Sequence, residues 1–272
     1  MPTIKANGID LYYELHGPQE SPLLILSNGI MMGTAAWGFQ SSVLSKYFRV
    51  LTYDCRGMWQ SDHPEGPYTM EMHADDLAAL MDALEIPSAH IAGISYGSEV
   101  SMMFALKYPS RSDSLIIIDG VSQIDALLRA QTYPWLLAAE RQDAELLLRT
   151  SYHMNFSEEW IKANQSYIEG SIERYKEMDM ASFTELMHCF YDLDITARLP
   201  EISLPTLVVV GEKDLIKGRK YSEIIVEKIA GSEFVIVPGS GHALCLEKPN
   251  ELNTLLIGFI YKNSKIEKEV KQ

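Results

Sequence analysis

Three residue types that together do acyl-transfer chemistry recur in this chain in similar settings. Ser95 sits in the middle of Gly93-Ile94-Ser95-Tyr96-Gly97, Asp214 closes Gly211-Glu212-Lys213-Asp214, and His242 closes Gly239-Ser240-Gly241-His242. A serine hydroxyl is a weak nucleophile until an imidazole takes its proton. The imidazole in turn needs a carboxylate to fix its tautomer and to stabilise its charged form. A serine between small residues at a strand-to-helix turn can adopt strained backbone angles and present its hydroxyl above a sheet. The N-terminus of the following helix also points backbone N–H groups at negative charge developing beside Ser95.

These residues must be carried by elements that bring distant loops together, and the patterning supplies them. Thr3 to Ala6 and Asp10 to His16 flank Asn7-Gly8, a hairpin signal, so the chain opens with two antiparallel strands. Leu23 to Ser27, Phe48 to Tyr53, Ala89 to Gly93, Ser114 to Ile118, Leu207 to Val210 and Phe234 to Val237 read as strands. Between or after them, Trp37 to Tyr47, Thr69 to Leu84, Ser98 to Lys107, Arg219 to Ile229 and Pro249 to Tyr261 read as helices. This alternation implies an α/β fold with a mostly parallel central sheet flanked by helices, whose site lies at the carboxyl ends of the strands. The rhythm breaks between residues 121 and 200, where apolar residues recur at helical spacing. The expected division is a core of residues 1–120 and 201–272 with an all-helical insertion, 121–200, acting as a lid.

A net charge of −14 over 272 residues makes a nucleic-acid backbone or an anionic membrane an unsuitable partner. Cys55, Cys189 and Cys245 are odd in number and lack metal-like spacing, as expected of reduced thiols in an intracellular protein. The first residues contain no apolar signal core, and no run approaches bilayer length, so a soluble, cytoplasmic protein is expected. No clustered ligands suggest a metal, and the chemistry requires no organic cofactor. Composition leaves the oligomeric state open. The segment from Lys262 to Gln272, with four lysines, reads as a frayed end.

Each candidate has a rival. Among seven histidines, His242 alone follows a strand in a glycine-flanked loop. Asp119 also follows a strand and competes with Asp214 for the acid position, although Asp214 is favoured.

With Asn28-Gly29-Ile30, with Asp54-Cys55-Arg56-Gly57 and Ser61, and with the three loops above, the chain resembles the α/β-hydrolase superfamily, in particular its small esterases, lactonases and C–C hydrolases with a helical lid. The resemblance implies Ser95 as nucleophile, His242 as base and then acid, and Asp214 as orienter. It also implies an oxyanion hole made by the backbone N–H groups of Ile30 and Tyr96. Two positions depart from the family pattern: Asn28 stands where relatives usually have histidine, and Trp59 stands at the second glycine of Asp-x-Arg-Gly-x-Gly-x-Ser.

The expected substrate is a small to medium, largely apolar carboxylic ester or lactone, with Met31 and Trp135 as candidate contacts. Thirteen acidic against seven basic residues between Val121 and Pro200 argue against an acidic carrier protein. An anionic lactone would want one of Arg129, Arg141, Arg149, Arg174 or Arg198 in the pocket. A C–C bond hydrolase of a vinylogous diketone, with a cofactor-free haloperoxidase side activity, is the second enzymatic reading. A ligand-sensing protein on the same scaffold is the third.

Overall fold

A computed structural model describes residues 2–264. The opening hairpin, β1 (Thr3–Ala6) and β2 (Ile9–His16), turns at Asn7 and Gly8, both at positive φ. It is followed by β3 (Leu23–Ser27), α1 (Gly38–Leu44), β4 (Arg49–Tyr53), α2 (Met70–Ala83), β5 (Ala89–Ile94), α3 (Tyr96–Lys107) and β6 (Ser112–Ile118). The helix expected over Trp37 to Tyr47 is thus a 3-10 turn at Thr34–Trp37 running into the shorter α1.

Between β6 and the next strand lie α4 (Ala126–Glu140), α5 (Ala144–Asn155), α6 (Glu158–Ala163), α7 (Gln165–Lys176) and α8 (Met180–Tyr191). The only β pairing of this segment among the described residues is a single bridge, Gln123 to Asp194. The core resumes with β7 (Thr206–Gly211), α9 (Arg219–Lys228), β8 (Glu233–Val237), the short α10 (Leu244–Glu247) and α11 (Pro249–Asn263). The last helix passes the expected end at Tyr261, so Lys262 is helical and pairs with Glu233 at 2.9 Å. Residues 265–272 of the expected frayed end lie outside the described residues.

The eight strands form one sheet in the order β1-β2-β4-β3-β5-β6-β7-β8, antiparallel at β1–β2 and β2–β4 and parallel elsewhere. Side chains alternate across it as strand geometry requires. Ile25, Leu51, Ile91, Leu115, Ile117 and Val208 face the core shared with α2, α3 and the helical segment. Leu24, Leu26, Val50, Ile94, Ile116 and Val209 face the other core, with α11. Because β4 lies on one side of β3 and β5 on the other, the loops after β3 and β5 diverge and open a crevice above the sheet.

Candidate active site

At the end of β5 the chain turns so tightly that α3 begins at Tyr96, two residues earlier than the pattern suggests. Ser95 is held at φ 54, ψ −121, a region in which a non-glycine residue costs about 1–3 kcal/mol and persists only where its surroundings impose it. The surroundings are visible. Its N–H donates to the Ile118 carbonyl at 2.9 Å. The Ser98 hydroxyl lies 2.6 Å from the Gly93 carbonyl and accepts the Ile118 N–H at 3.0 Å, tying α3 to β5 and β6. Gly93 and Gly97 permit this approach: a Cβ at Gly93 would overlap the Gly97 carbonyl, and one at Gly97 the Ser27 carbonyl.

The acid and histidine loops meet beside it. Asp214 Oδ2 accepts from His242 Nδ1 at 2.7 Å, while Oδ1 accepts the Ile216 and Lys217 N–H groups at 2.7 and 2.9 Å. Because an ionised carboxylate only accepts, Nδ1 carries the proton and Nε2 is left as an acceptor. Ser95 and His242 line the same cavity, with no hydrogen bond between their side chains among the described residues. Catalytic hydrogen bonds of this kind are often loose until substrate arrives. The histidine loop is braced from the helical segment: the Ala243 N–H donates to the Asn155 carbonyl at 2.8 Å, and Glu247 accepts from the N–H groups of both Gly241 and Ser157 at 3.0 Å.

Asp119, the rival acid, lies beside both. It offers an oxygen within 4.8 Å of ligand atoms of both Asp214 and His242. Its Oδ1 accepts the Gly211 N–H at 2.8 Å, and its buried Oδ2 has no other hydrogen-bond partner among the described residues. Burial, and then the Asp214 charge, push Asp119 well above the usual carboxylate range. It is therefore the protonated member of an acid pair whose charged member faces the imidazole. In a cation site these three residues would have to give up those contacts, since both Asp214 oxygens and His242 Nδ1 are already engaged.

The cavity has about 990 Å³ of empty space including its mouth. Ile30, Met31, Tyr96 and Trp135 all line it with Ser95 and His242, so of the expected catalytic, oxyanion and Met31 and Trp135 contact residues Asp214 alone, behind His242, is off this wall. Neither the Ile30 nor the Tyr96 backbone N–H donates a hydrogen bond among the described residues. Asn28, the departure from histidine, pins the loop that carries Ile30. It accepts the Trp37 indole N–H at 2.8 Å and donates to Asp54 at 3.1 Å. Tyr175 donates to the Met31 sulfur at 3.2 Å, and the Trp135 indole donates to the Thr150 carbonyl at 3.1 Å.

Of the five candidate arginines only Arg174 lines the cavity. Arg129 stacks on Tyr191, Arg149 pairs with Glu169, Arg198 pairs with Glu201, and Arg141 is exposed after α4.

One pair was not foreseen. Lys217, also on the cavity wall, is buried against Glu99 at 2.7 Å, and Glu99 accepts the Val121 N–H at 2.9 Å. Burial pushes Lys217 down and Glu99 up, and their mutual attraction opposes both shifts. The pair locks the acid loop to the first turn of α3. A lysine three residues after an acid carries no signal that it will meet a glutamate 118 positions away.

Behind the elbow, the Tyr96 hydroxyl and His73 Nε2 are 2.8 Å apart. Burial, with the Arg56 charge second, holds His73 down at about 3. A histidine whose folded value is depressed contributes stability that is present above its ordinary 6.5 and is lost as pH falls toward the folded value. Asp54, raised to about 6 by burial, works with the opposite sign between about pH 6 and 4. Comparing variants separates them. In urea unfolding at pH 7.5 and 5, the stability lost on acidification should be smaller in His73→Gln than in the parent by about 2 kcal/mol. Equal losses in the two proteins would show that His73 is free to protonate in the folded state.

The comparisons with known proteins follow this geometry. A family model described as alpha/beta hydrolase fold matches residues 22–249. The chain is similar to a putative carbamate hydrolase RutD of Azorhizobium caulinodans, at 29% identity over 95% of this chain and 98% of that protein. It is also similar to 3-oxoadipate enol-lactonase 1 of Acinetobacter baylyi, at 26% identity over 93% of this chain and 94% of the relative. Among solved structures, the enol-lactonase from Burkholderia xenovorans LB400 shares the fold with a TM-score of 0.90, at 24% identity over 96% of this chain and all of that one.

Proposed function

The chain belongs to the alpha/beta hydrolase fold family, and on that premise we propose that it hydrolyses a carboxylic ester or lactone of a small to medium acyl substrate through Ser95, His242 and Asp214. The observation that carries this reading is the 2.7 Å bond from His242 Nδ1 to Asp214, which leaves Nε2 as a base on a cavity that also exposes the strained Ser95.

In the first step Nε2 takes the Ser95 proton as the hydroxyl oxygen attacks the substrate carbonyl. The Ile30 and Tyr96 N–H groups receive the oxyanion, each worth about 3 kcal/mol of barrier. His242 then returns its proton to the leaving alkoxide, and the acyl group stays on Ser95. In the second step His242 deprotonates a water, which attacks the acyl-enzyme, and then returns that proton to the Ser95 oxygen as its bond to the acyl carbon breaks and the acid leaves. For a lactone, both products are one molecule.

The helical segment 121–200 serves as the lid, because Trp135 and Arg174 reach the cavity from it and Asn155 braces the histidine loop. Met31 and Trp135 are the substrate contacts. Three buried, unpaired cysteines, each pushed up to about 12 by burial, support a cytoplasmic setting and leave Ser95 as the nucleophile on this wall.

A fluorophosphonate probe tests the assignment. The expected result is one adduct, on the peptide containing Ser95, formed at the rate at which hydrolysis of p-nitrophenyl acetate and butyrate disappears. Labelling elsewhere, or full labelling with turnover intact, would overturn it. Turnover of a vinylogous diketone with no ester in a broad panel cleaved would transfer the same residues to C–C hydrolysis.

A further inference from the structure

Arg174 is a cation on an apolar wall, and its surroundings leave it unsatisfied. The guanidinium carbon lies 5.2 Å from the centre of the Trp59 ring, Nη2 reaches the Met31 carbonyl at a long 3.5 Å, and the buried Nε–H meets no acceptor. No carboxylate among the described residues is within ion-pairing distance of it, although Arg149 on the facing helix α5 is bound to Glu169 and Glu145. Stacking on an indole fixes the plane of a guanidinium and leaves its edge free for two parallel donor bonds, the geometry a carboxylate matches. A buried donor without an acceptor is costly to keep, and a ligand oxygen would satisfy it.

The platform is itself expensive. Trp59 occupies the glycine position of the Asp54-to-Ser61 pattern and pays for it with φ 43, an outlier for a bulky residue. Its ring packs over Gly33, in the loop that carries Ile30, where a Cβ would come within 3.0 Å of it. A strained residue held in place to support an unsatisfied cation on the cavity wall points to recognition rather than to packing.

We infer that Arg174, stacked on Trp59, is an anion subsite, and that the substrate is an ester or lactone bearing a free carboxylate remote from the scissile carbonyl. The inference rests on the hydrolytic reading of Ser95 for its second half only. Since the molecule carries −14, a local cation is what lets an anion enter at all. Met31 joins the two ends of the site, its carbonyl beside Arg174 and its N–H following Ile30, so the carboxylate would sit next to the loop that carries the oxyanion donor.

The test pairs esters with inert ligands. The p-nitrophenyl monoester of glutarate is compared with p-nitrophenyl valerate by kcat/KM, and glutaramate with valeramide by calorimetric binding, in the parent, Arg174→Met and Trp59→Gly. The parent should prefer the glutarate ester about tenfold or more. Arg174→Met should lose about 10- to 100-fold on the glutarate ester and on glutaramate, with the valerate ester and valeramide changed less than threefold. Trp59→Gly should lose part of the same preference, with urea unfolding of each variant setting folding losses aside. Equal losses on charged and neutral members, or a parent that favours valerate and binds glutaramate independently of Arg174, would overturn the subsite. Arg174-dependent glutaramate binding with neither ester hydrolysed would keep the subsite and sink the hydrolytic reading instead.

Discussion

Ser95→Ala is expected to lower hydrolysis of p-nitrophenyl esters by roughly 10⁴- to 10⁶-fold with the fold intact. The size follows from the chemistry: without the hydroxyl there is no acyl-enzyme, and only the cavity and its N–H donors remain to assist direct attack by water. The intact fold follows from the structure. The Ser95 side chain makes no hydrogen bond among the described residues, and the contacts that hold its backbone at φ 54 run through its N–H, Ser98 and the flanking glycines. Alanine suffers the same backbone strain as serine, so unfolding free energies should agree within about 1 kcal/mol. Ser95→Gly gives a second reading of the same site. It removes the Cβ that is penalised at this φ and should be more stable than Ser95→Ala while equally inactive. An alanine variant with activity within tenfold of the parent would remove Ser95 from the mechanism.

The parts of this site that could be read from the sequence are those set by local rules. Asn7-Gly8 fixes a hairpin because both residues accept positive φ, and Leu23–Ser27 is a strand to the residue because an uninterrupted apolar run that short suits a strand buried on both faces. Glycine flanks mark the turns that carry Ser95 and His242, since only glycine tolerates the close approaches found there. Helix boundaries were less legible. Ser98 looks like a helix start, yet its hydroxyl is spent on Gly93 and Ile118, and α3 begins at Tyr96 because the strained serine itself ends the strand.

What could not be read is set by distance in space. Five arginines in one mostly helical segment look alike, and only the packing of α7 over the crevice separates Arg174 from the four that face Tyr191, surface glutamates or solvent. Trp59 at a glycine position could equally have narrowed the pocket or packed on the surface. Its ring does neither alone, because it forms the floor beneath Arg174. The Lys217–Glu99 pair is invisible for the same reason, being made by two loops that meet only when the sheet has formed.

The two acids left in competition by the sequence should separate by orders of magnitude. Asp214→Asn is expected to cost roughly 10³- to 10⁴-fold in kcat/KM, and Asp119→Asn less than about tenfold. Asp214 accepts three N–H donors, one of them from His242, so an amide there must turn an NH₂ toward either the imidazole or the Ile216 and Lys217 N–H groups. Turned toward His242, it forces the ring into the tautomer whose Nε2 carries a proton and cannot accept one from Ser95. Turned the other way, it sets donors against the two backbone N–H groups that place the loop. Asp119 is pushed toward its protonated form, so asparagine imitates that state: the carbonyl keeps the Gly211 bond, and the amide N–H takes the place of the acid O–H without adding a charge beside Asp214. The measurement is kcat/KM for both variants on one activated ester, with urea unfolding of each to set folding losses aside. If Asp119→Asn were the inactive variant and Asp214→Asn the active one, the carboxylate serving His242 would be the one after β6. The acid pair would then have to share its proton the other way round, against the three donors that converge on Asp214.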